Sequence, residues 1–179
     1  KENNLSLIPR AAGTSLAGQV VGNGIVLDIS KYWGKIIEIN TENQWVKVEP
    51  GVILDELNMA LKPYGLFFGP ETSTSNRCMM AGMVGNNSCG SHSLIYGSTR
   101  DHLISLKMIL DDGIEYEFGD VTKDEFEAKC ELNSKEGDVY RFFKDILSNE
   151  NNRTVIIENS PNPSIKRRNT GYALDLLVT

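Results

Sequence analysis

The sequence predicts an α+β fold, because two β-hairpins are separated by segments with helical periodicity. In the first hairpin, over residues 37–49, apolar and polar residues alternate on both sides of the turn sequence TEN. In the second, over residues 104–118, the alternation continues on both sides of DDG. With 179 residues, of which 40% are apolar, the chain can bury a core as one domain or as two small lobes.

The remaining elements are predicted from local patterns. The apolar run at 25–29 indicates a short buried strand. Residues 54–64 carry leucines at helical spacing behind an acidic first turn, and Gly65 is typical of a helix end. The charged segment 124–147 favours helices with a loop near Gly137.

Charge and cysteine content exclude several classes of protein. A formal net charge of −6 argues against nonspecific binding to nucleic acid or to an anionic membrane. Cys78, Cys89 and Cys130 are spaced too widely for a disulfide framework or a C-x-x-C metal site, so we expect reduced thiols, a cytoplasmic setting and no metal. No apolar run approaches the roughly 18 residues of a membrane span, so no transmembrane segment is expected. The first residue is not Met and the last lie in an apolar run, so we expect an excised piece of a larger protein.

The segment PRAAGTSLAGQ, residues 9–19, has the composition of a phosphate-binding turn. It combines an arginine, small residues and two hydroxyl side chains at a sharp bend, which suits backbone N–H groups closing around a phosphate. Gly13 and Gly18 have the spacing of an NTPase loop, but Gln19 and Val20 replace its lysine and its Mg²⁺-binding hydroxyl. The segment therefore suits an unreactive pyrophosphate, and the alternative is a surface turn.

A second Gly-rich segment extends over residues 69–101 and has few periodic apolar positions. A loop of this length is usually functional or disordered. Its glycines would allow the backbone to approach a flat ligand, while its asparagines and serines supply hydrogen-bond donors and acceptors. The alternative is a helix N-terminus at which Gly82 and Gly85 act as packing spacers.

Four ordered motifs carry a family resemblance: PRAAGTSLAGQ, GPETSTSN, AGMVGNNSCG, and YGSTRDH leading into a strand and DDG. Over roughly residues 9–119 the chain resembles the FAD-binding domain of the vanillyl-alcohol oxidase/PCMH-type flavoproteins. A weaker match lies at RRNTGYAL, residues 167–174. Within that superfamily the chain is most similar to the FAD-linked dehydrogenases of D-lactate, glycolate and D-2-hydroxyglutarate.

The resemblance implies a two-lobed PCMH-type fold, truncated at both ends, with FAD between the lobes. Residues 1–32 would form part of the first lobe and residues 33–179 part of the second, without its C-terminal strands and without the substrate domain. The implied activity is oxidation of a 2-hydroxy acid by hydride transfer to flavin N5, and the isolated fragment is expected to be inactive. Two alternatives are a nucleotide-binding module without redox activity and a reductase of the same superfamily.

The resemblance also implies which residues line the cofactor. The segment from Arg10 would bind the pyrophosphate, and the later segments would run along the flavin and ribityl chain. The implied cofactor-binding residues are Arg10, Ala11, Ala12, Gly13, Thr14, Ser15, Pro70, Glu71, Thr72, Ser73, Gly82, Gly85, Asn86, Ser88, Cys89, Gly90, Gly97, Thr99, Gly171 and Tyr172.

Departures from the family pattern refine these expectations. Many relatives place glycine after the arginine, whereas Ala11 follows Arg10 here, so an altered turn is expected. No histidine lies in residues 9–19, which favours noncovalent FAD. His92 is a weak candidate for an active-site group, since a lone loop histidine is more often incidental. The implied partners are a small 2-hydroxy acid, a C-terminal substrate domain and a quinone or iron–sulfur acceptor, with the full-length protein cytoplasmic and peripheral to the inner membrane.

Overall fold

A computed structural model describes residues 5–165 and 172–178 of the chain. The chain forms two compact units, Lys1–His102 and Leu103–Thr179. Both contain helices and strands, which confirms the predicted α+β class. The predicted division into cofactor lobes after residue 32 stays a prediction.

The first unit contains two small sheets and several short helices. Strands β1 (Leu7–Arg10) and β2 (Ile25–Asp28) pair in parallel, with Arg10 opposite Asp28. Strands β3 (Ile36–Asn40) and β4 (Trp45–Val48) form the first predicted hairpin, antiparallel with a bulge. The remaining elements are α1 (Leu54–Leu61), a 3₁₀ helix (Lys62–Tyr64), α2 (Met80–Gly85), α3 (Ser93–Tyr96) and a second 3₁₀ helix (Thr99–His102).

Strand β2 forms where the apolar run predicts it, but the expectation that it is buried is wrong. Ile25, Val26 and Leu27 are exposed, and only Ile29 beyond the end of the strand is buried. The physical reason is that burial requires another element packed on the sheet, and within the described residues these three side chains remain 41–51% exposed.

Helix α1 organises the core and fixes the position of α2. Its leucines are buried together with Val52, Cys78, Met80 and Met83, and the first hairpin packs on them. The backbone N–H of Leu54 donates to the Cys78 carbonyl at 3.1 Å, and that of Met80 donates to the Val52 carbonyl at 2.9 Å. The predicted helix end is also confirmed, because Gly65 has a φ of 69°. The core therefore positions the helix that carries two of the predicted cofactor-binding glycines.

The second unit begins with the second predicted hairpin, β5 (Ser105–Ile109) and β6 (Glu115–Gly119), which pair antiparallel. Three helices follow, α4 (Lys123–Cys130), α5 (Lys135–Ser148) and α6 (Glu150–Asn159), and then a 3₁₀ helix (Leu174–Leu177). The prediction of a loop near Gly137 is wrong. Ser134 caps α5 by accepting from the Gly137 N–H, so the chain is already helical there and the connection lies at residues 131–134.

Candidate functional site

Arg10 and the turn after it occupy the end of β1, where the phosphate-binding turn is predicted. The Arg10 carbonyl accepts from the Ile29 N–H at 3.0 Å, which fixes the start of the turn. Gly13 has a φ of +66°, and a Cβ built on it would lie 3.0 Å from the Arg10 Nε, so the guanidinium lies across this glycine. Residues 11–15 are half-buried. An arginine side chain thus stands beside a glycine-lined bend, as the sequence predicts.

The two alanines of this turn do not take the strained conformation. Among the described residues, the non-glycine positions with positive φ are Gln44 and Asn87. Ala11 and Ala12 therefore keep ordinary backbone angles, because Gly13 takes up the left-handed conformation. The hydroxyl of Ser15 donates to Gln19 Oε1 at 2.8 Å across the same turn.

The segment 70–73 runs close to the core. Pro70 is buried, and the Thr72 hydroxyl lies 3.2 Å from the Thr74 hydroxyl and 3.3 Å from Cys78 Sγ, so it bonds inside the protein. Glu71 and Ser73 are exposed. The exposed pair is therefore the part of this segment whose side chains are accessible to a ligand.

Helix α2 has a face without side chains, and this face lies next to the turn that follows Arg10. Gly82 and Gly85 are exposed and lie three residues apart, hence on one side of the helix. A Cβ built on Gly82 would lie 3.4 Å from the Cβ of Ala11, whereas a Cβ on Gly85 would meet open space. The residues of the first and third motifs are thus neighbours, and the bare face of α2 continues outward from their contact. The long segment predicted as a loop, residues 69–101, is thus partly helical, since it contains α2 and α3.

The turn after α2 is held in a fixed shape. Asn87 has a φ of 44°, and its side-chain Oδ1 accepts from the Arg100 N–H at 3.0 Å. The amide of Asn86 donates to the Ser88 hydroxyl at 3.2 Å. Thr99 is 2% exposed, and it donates both its N–H (2.9 Å) and its hydroxyl (2.7 Å) to the Ser88 carbonyl. Thr99 is therefore a buried residue that fixes the position of the Ser88 backbone through two hydrogen bonds.

The segments around Glu71 and Gly90 touch directly. A Cβ built on Gly90 would lie 1.2 Å from the Glu71 carbonyl oxygen, so only glycine fits there. The His92 Nδ1 also lies 2.7 Å from Glu71 Oε2, with both side chains 55% exposed. Cys89, between the turn and Gly90, is half-buried and forms no disulfide with another described residue.

Gly97, another predicted cofactor-binding residue, directly follows the last residue of α3. Its φ is 75°, and a Cβ built on it would lie 2.5 Å from Asp101 Oδ2. Burial acts to raise the pKa of Asp101, but hydrogen bonds from the N–H and hydroxyl of Ser98, with the nearby charges of Arg100 and His102, lower it below its ordinary value. Asp101 is thus held as a carboxylate that fixes this turn.

Two predicted residues belong to the other unit. Gly171 lies outside the described residues, and Tyr172 is 93% exposed. The other eighteen predicted cofactor-binding residues, from Arg10 to Thr99, lie in the first unit. Ser93 is an additional polar group there: it is 5% exposed, and its hydroxyl has no hydrogen-bond partner among the described residues. The sequence around Ser93 does not predict this burial, because the burial of a hydroxyl depends on residues that are distant in the chain.

Comparison with known proteins decides the family. A model of the family described as "FAD binding domain" matches residues 1–119. The chain belongs to the FAD binding domain family. This confirms the resemblance deduced from the four motifs and confirms FAD as the cofactor of the domain. The match ends at the last residue of β6, so the helices α4 to α6 lie beyond the matched part.

Curated relatives of this FAD-binding domain are hydroxy-acid enzymes. The D-2-hydroxyglutarate dehydrogenase of Pseudomonas putida is 39% identical over 170 residues, 95% of this chain and 16% of that protein. The glycolate oxidase subunit GlcD of Bacillus subtilis is 36% identical over 114 residues, 63% of this chain and 24% of that protein. The mitochondrial D-lactate dehydrogenase [cytochrome] of Kluyveromyces lactis is 36% identical over 114 residues, 62% of this chain and 19% of that protein. The chain thus spans about a sixth of the D-2-hydroxyglutarate dehydrogenase that it matches.

Solved structures show the same fold. Two crystal forms of alkyldihydroxyacetonephosphate synthase superpose with TM-scores of 0.58 and 0.60, at 20% and 17% identity. They cover 65% and 69% of this chain and 24% of theirs. At this identity the likeness concerns the fold, and it agrees with the family assignment.

The residues of the FAD-binding domain fit a flat dinucleotide. The glycine-bearing face of α2 leaves open space where side chains would stand, and it adjoins a bend lined by Arg10. Within residues 5–165 and 172–178, no group of three or more His, Cys, Asp or Glu side chains is arranged to hold a metal ion. The same residues contain no helix of the length and apolarity that a membrane crossing needs.

Proposed function

We propose that this FAD-binding domain serves an enzyme that oxidises a small 2-hydroxy acid, with D-2-hydroxyglutarate as the first substrate to test. The support is the relatives' chemistry: three D-2-hydroxyglutarate dehydrogenases align over 95–96% of the chain and a fourth is 44% identical over 62% of it, whereas the glycolate and D-lactate enzymes align over about 60–63% at 27–36% identity. The chain corresponds to 16% of the D-2-hydroxyglutarate dehydrogenase and matches an FAD binding domain. We therefore assign it the cofactor-binding role within the reaction.

The observation that carries the proposal is the bare face of α2 beside the first turn. Gly82 packs against Ala11, and Gly85 continues the same face into open space. A planar ring system can lie against such a face because no Cβ stands in its way. In this proposal the backbone N–H groups of the adjoining turn bind the pyrophosphate together with the Arg10 guanidinium, which lies beside Gly13.

Each part of the site has a distinct task in this proposal. FAD, when bound, accepts the hydride that leaves the hydroxyl-bearing carbon of the substrate. Arg10 offsets the charge of the pyrophosphate, Asn86 and the Ser88 segment offer polar groups to the cofactor's edge, and Thr99 holds the Ser88 carbonyl in place. The chain's own contribution is therefore binding and orientation.

We propose that the FAD is held noncovalently. The two histidines of the chain already have partners: His92 is paired with Glu71, and His102 Nε2 lies 2.6 Å from the Tyr96 carbonyl. For the electron acceptor we propose a quinone or an iron–sulfur module. We also propose a cytoplasmic location, peripheral to the inner membrane in the full-length protein. The absence of a disulfide among the described residues accords with the cytoplasmic part of this proposal.

Titration of the purified chain with FAD tests the binding role. We expect the chain to retain flavin after desalting and to release it on acid precipitation, with no displacement by excess ADP. Absence of flavin uptake contradicts the proposal, and equal affinity for ADP favours the alternative of a nucleotide-binding module without redox activity.

The variant Gly85→Val tests the place of binding. It fills the open space on α2 with a side chain, so we expect weaker FAD binding at nearly unchanged stability, since valine and glycine differ by less than about 0.5 kcal/mol in helix propensity. Ala128→Val, on an exposed position of α4, is the matched control and is expected to bind FAD normally. Anaerobic bleaching of the full-length flavoprotein by D-2-hydroxyglutarate, but not by glycolate or D-lactate, would support the substrate.

A further inference from the structure

The pair formed by Glu71 and His92 links two segments that are 21 residues apart in the chain. His92 Nδ1 lies 2.7 Å from Glu71 Oε2, a short contact for side chains that are each 55% exposed. The imidazole ring also stands near Tyr96, with ring centroids 6.4 Å apart, and Tyr96 packs edge-on against Phe67 at 5.1 Å. The histidine is thus placed by aromatic neighbours rather than extended freely into solvent.

The same glutamate makes the closest backbone approach between these segments. Its carbonyl oxygen occupies the space that a Cβ on Gly90 would need, at 1.2 Å. Glu71 is therefore joined to residues 88–92 twice, by its backbone at Gly90 and by its carboxylate at His92. The side-chain pair is the adjustable one of these two contacts, because the backbone contact is set by packing.

We infer that His92 is a positioning residue that fastens residues 70–73 to residues 88–92 and so keeps the cofactor site closed in the absence of FAD. This inference rests on the proposed function, in which both segments line the cofactor. His92 acts through Glu71 and needs no contact with the flavin. The carboxylate of Glu71 is at the same time held on the His92 side by this hydrogen bond.

Preorganisation gives the expected size of the effect. An exposed hydrogen-bonded pair of side chains contributes up to about 1 kcal/mol, which corresponds to a factor of about five in a binding constant. When the pair is lost, binding of the cofactor must also order the two segments. The apparent Kd then equals the Kd of the closed form divided by the fraction of molecules that are closed before FAD binds. We therefore expect the Kd for FAD to rise about three- to five-fold.

The experiment compares three variants of the full chain. His92→Phe keeps an aromatic ring beside Tyr96 and removes the nitrogen, while His92→Asn keeps a side-chain nitrogen at the position of Nδ1. Glu115→Gln removes one partner of the Lys107–Glu115 pair, whose side chains are 51% and 58% exposed, and serves as the control. The two measurements are the Kd for FAD, from quenching of flavin fluorescence, and amide hydrogen exchange of residues 88–93 without FAD.

We expect His92→Phe to weaken FAD binding about three- to five-fold and to speed exchange at residues 88–93. His92→Asn should recover the wild-type values within about two-fold, and Glu115→Gln should not change them. Equal behaviour of His92→Phe and the control, or failure of His92→Asn to recover, overturns the inference. If the wild type takes up no FAD, the proposed function fails. The exchange data then decide on the pairing alone: faster exchange in His92→Phe supports it and unchanged exchange overturns it.

Discussion

The contact between Gly90 and Glu71 makes a sharp prediction for Gly90→Ala. The φ of Gly90 lies outside the left-handed region, so alanine brings no backbone strain of that kind. The penalty is steric, because the new Cβ would stand 1.2 Å from the Glu71 carbonyl oxygen, whereas ordinary contact begins at 3.4 Å. The two backbones must therefore separate by about 2 Å, and no flexible side-chain end is available to move instead.

The magnitude follows from the cost of overpacking. Insertion of one carbon into a well-packed region costs about 1–3 kcal/mol, and a collision with backbone belongs at the upper end. A loss of about 3 kcal/mol lowers the Tm of a unit the size of Lys1–His102 by about 12–24 °C. We expect this shift in the first unit, to which Gly90 belongs.

Tryptophan fluorescence is a suitable assay, because Trp33 and Trp45 are the two tryptophans of the chain and both lie in the first unit. Gly85→Ala is the matched control, since its Cβ meets open space on a helix and should stabilise by about 0.5–1 kcal/mol. If Gly90→Ala unfolds at the wild-type temperature, the close approach of the two segments does not exist in solution and the reasoning fails.

Three further substitutions test other contacts. Thr99→Val should lower the free energy of unfolding by about 1–2 kcal/mol in urea, because the Ser88 carbonyl loses a buried donor, and Thr99→Ser should recover most of it. Thr122→Ala should cost about 1 kcal/mol by removing the capping box of α4, read from helix melting by circular dichroism. The lowered pKa of Asp101 implies stabilisation that is present above the unfolded value of 3.8 and is lost as the pH falls through the folded value, so Asp101→Asn should destabilise at neutral pH and not in acid. A constant difference at all pH values would contradict this assignment.

Periodic patterns predicted the regular elements well. Both hairpins and α1 lie where the alternation and the leucine spacing place them. These elements were readable from local sequence, because the face on which a side chain lies repeats every two residues in a strand and about every 3.6 residues in a helix. The capping glycine at residue 65 was readable for a local reason too, since the left-handed conformation that ends a helix favours glycine.

Features that depend on distant partners were not readable in this way. Strand β1 has four residues including Pro9, and it forms by pairing with β2, which begins 15 residues beyond the end of β1. Gly137 suggested a break within 124–147, yet Ser134 starts α5 before it and helix α6 follows with little apolar periodicity. The exposed side chains of β2 depend on how many layers the sheet has, which a four-residue strand does not encode.

The glycines of the second Gly-rich segment divide by what surrounds them, although their residue type is the same. Gly90 fits against the Glu71 carbonyl, so a side chain there must disturb the fold. Gly85 faces open space, so a side chain there leaves the fold intact and can obstruct only a ligand. A loss of FAD affinity in a Gly90 variant therefore says nothing about the cofactor's position, whereas the same loss at Gly85 with unchanged stability does. The partner of each glycine, rather than its place in a motif, decides which substitutions can locate the flavin.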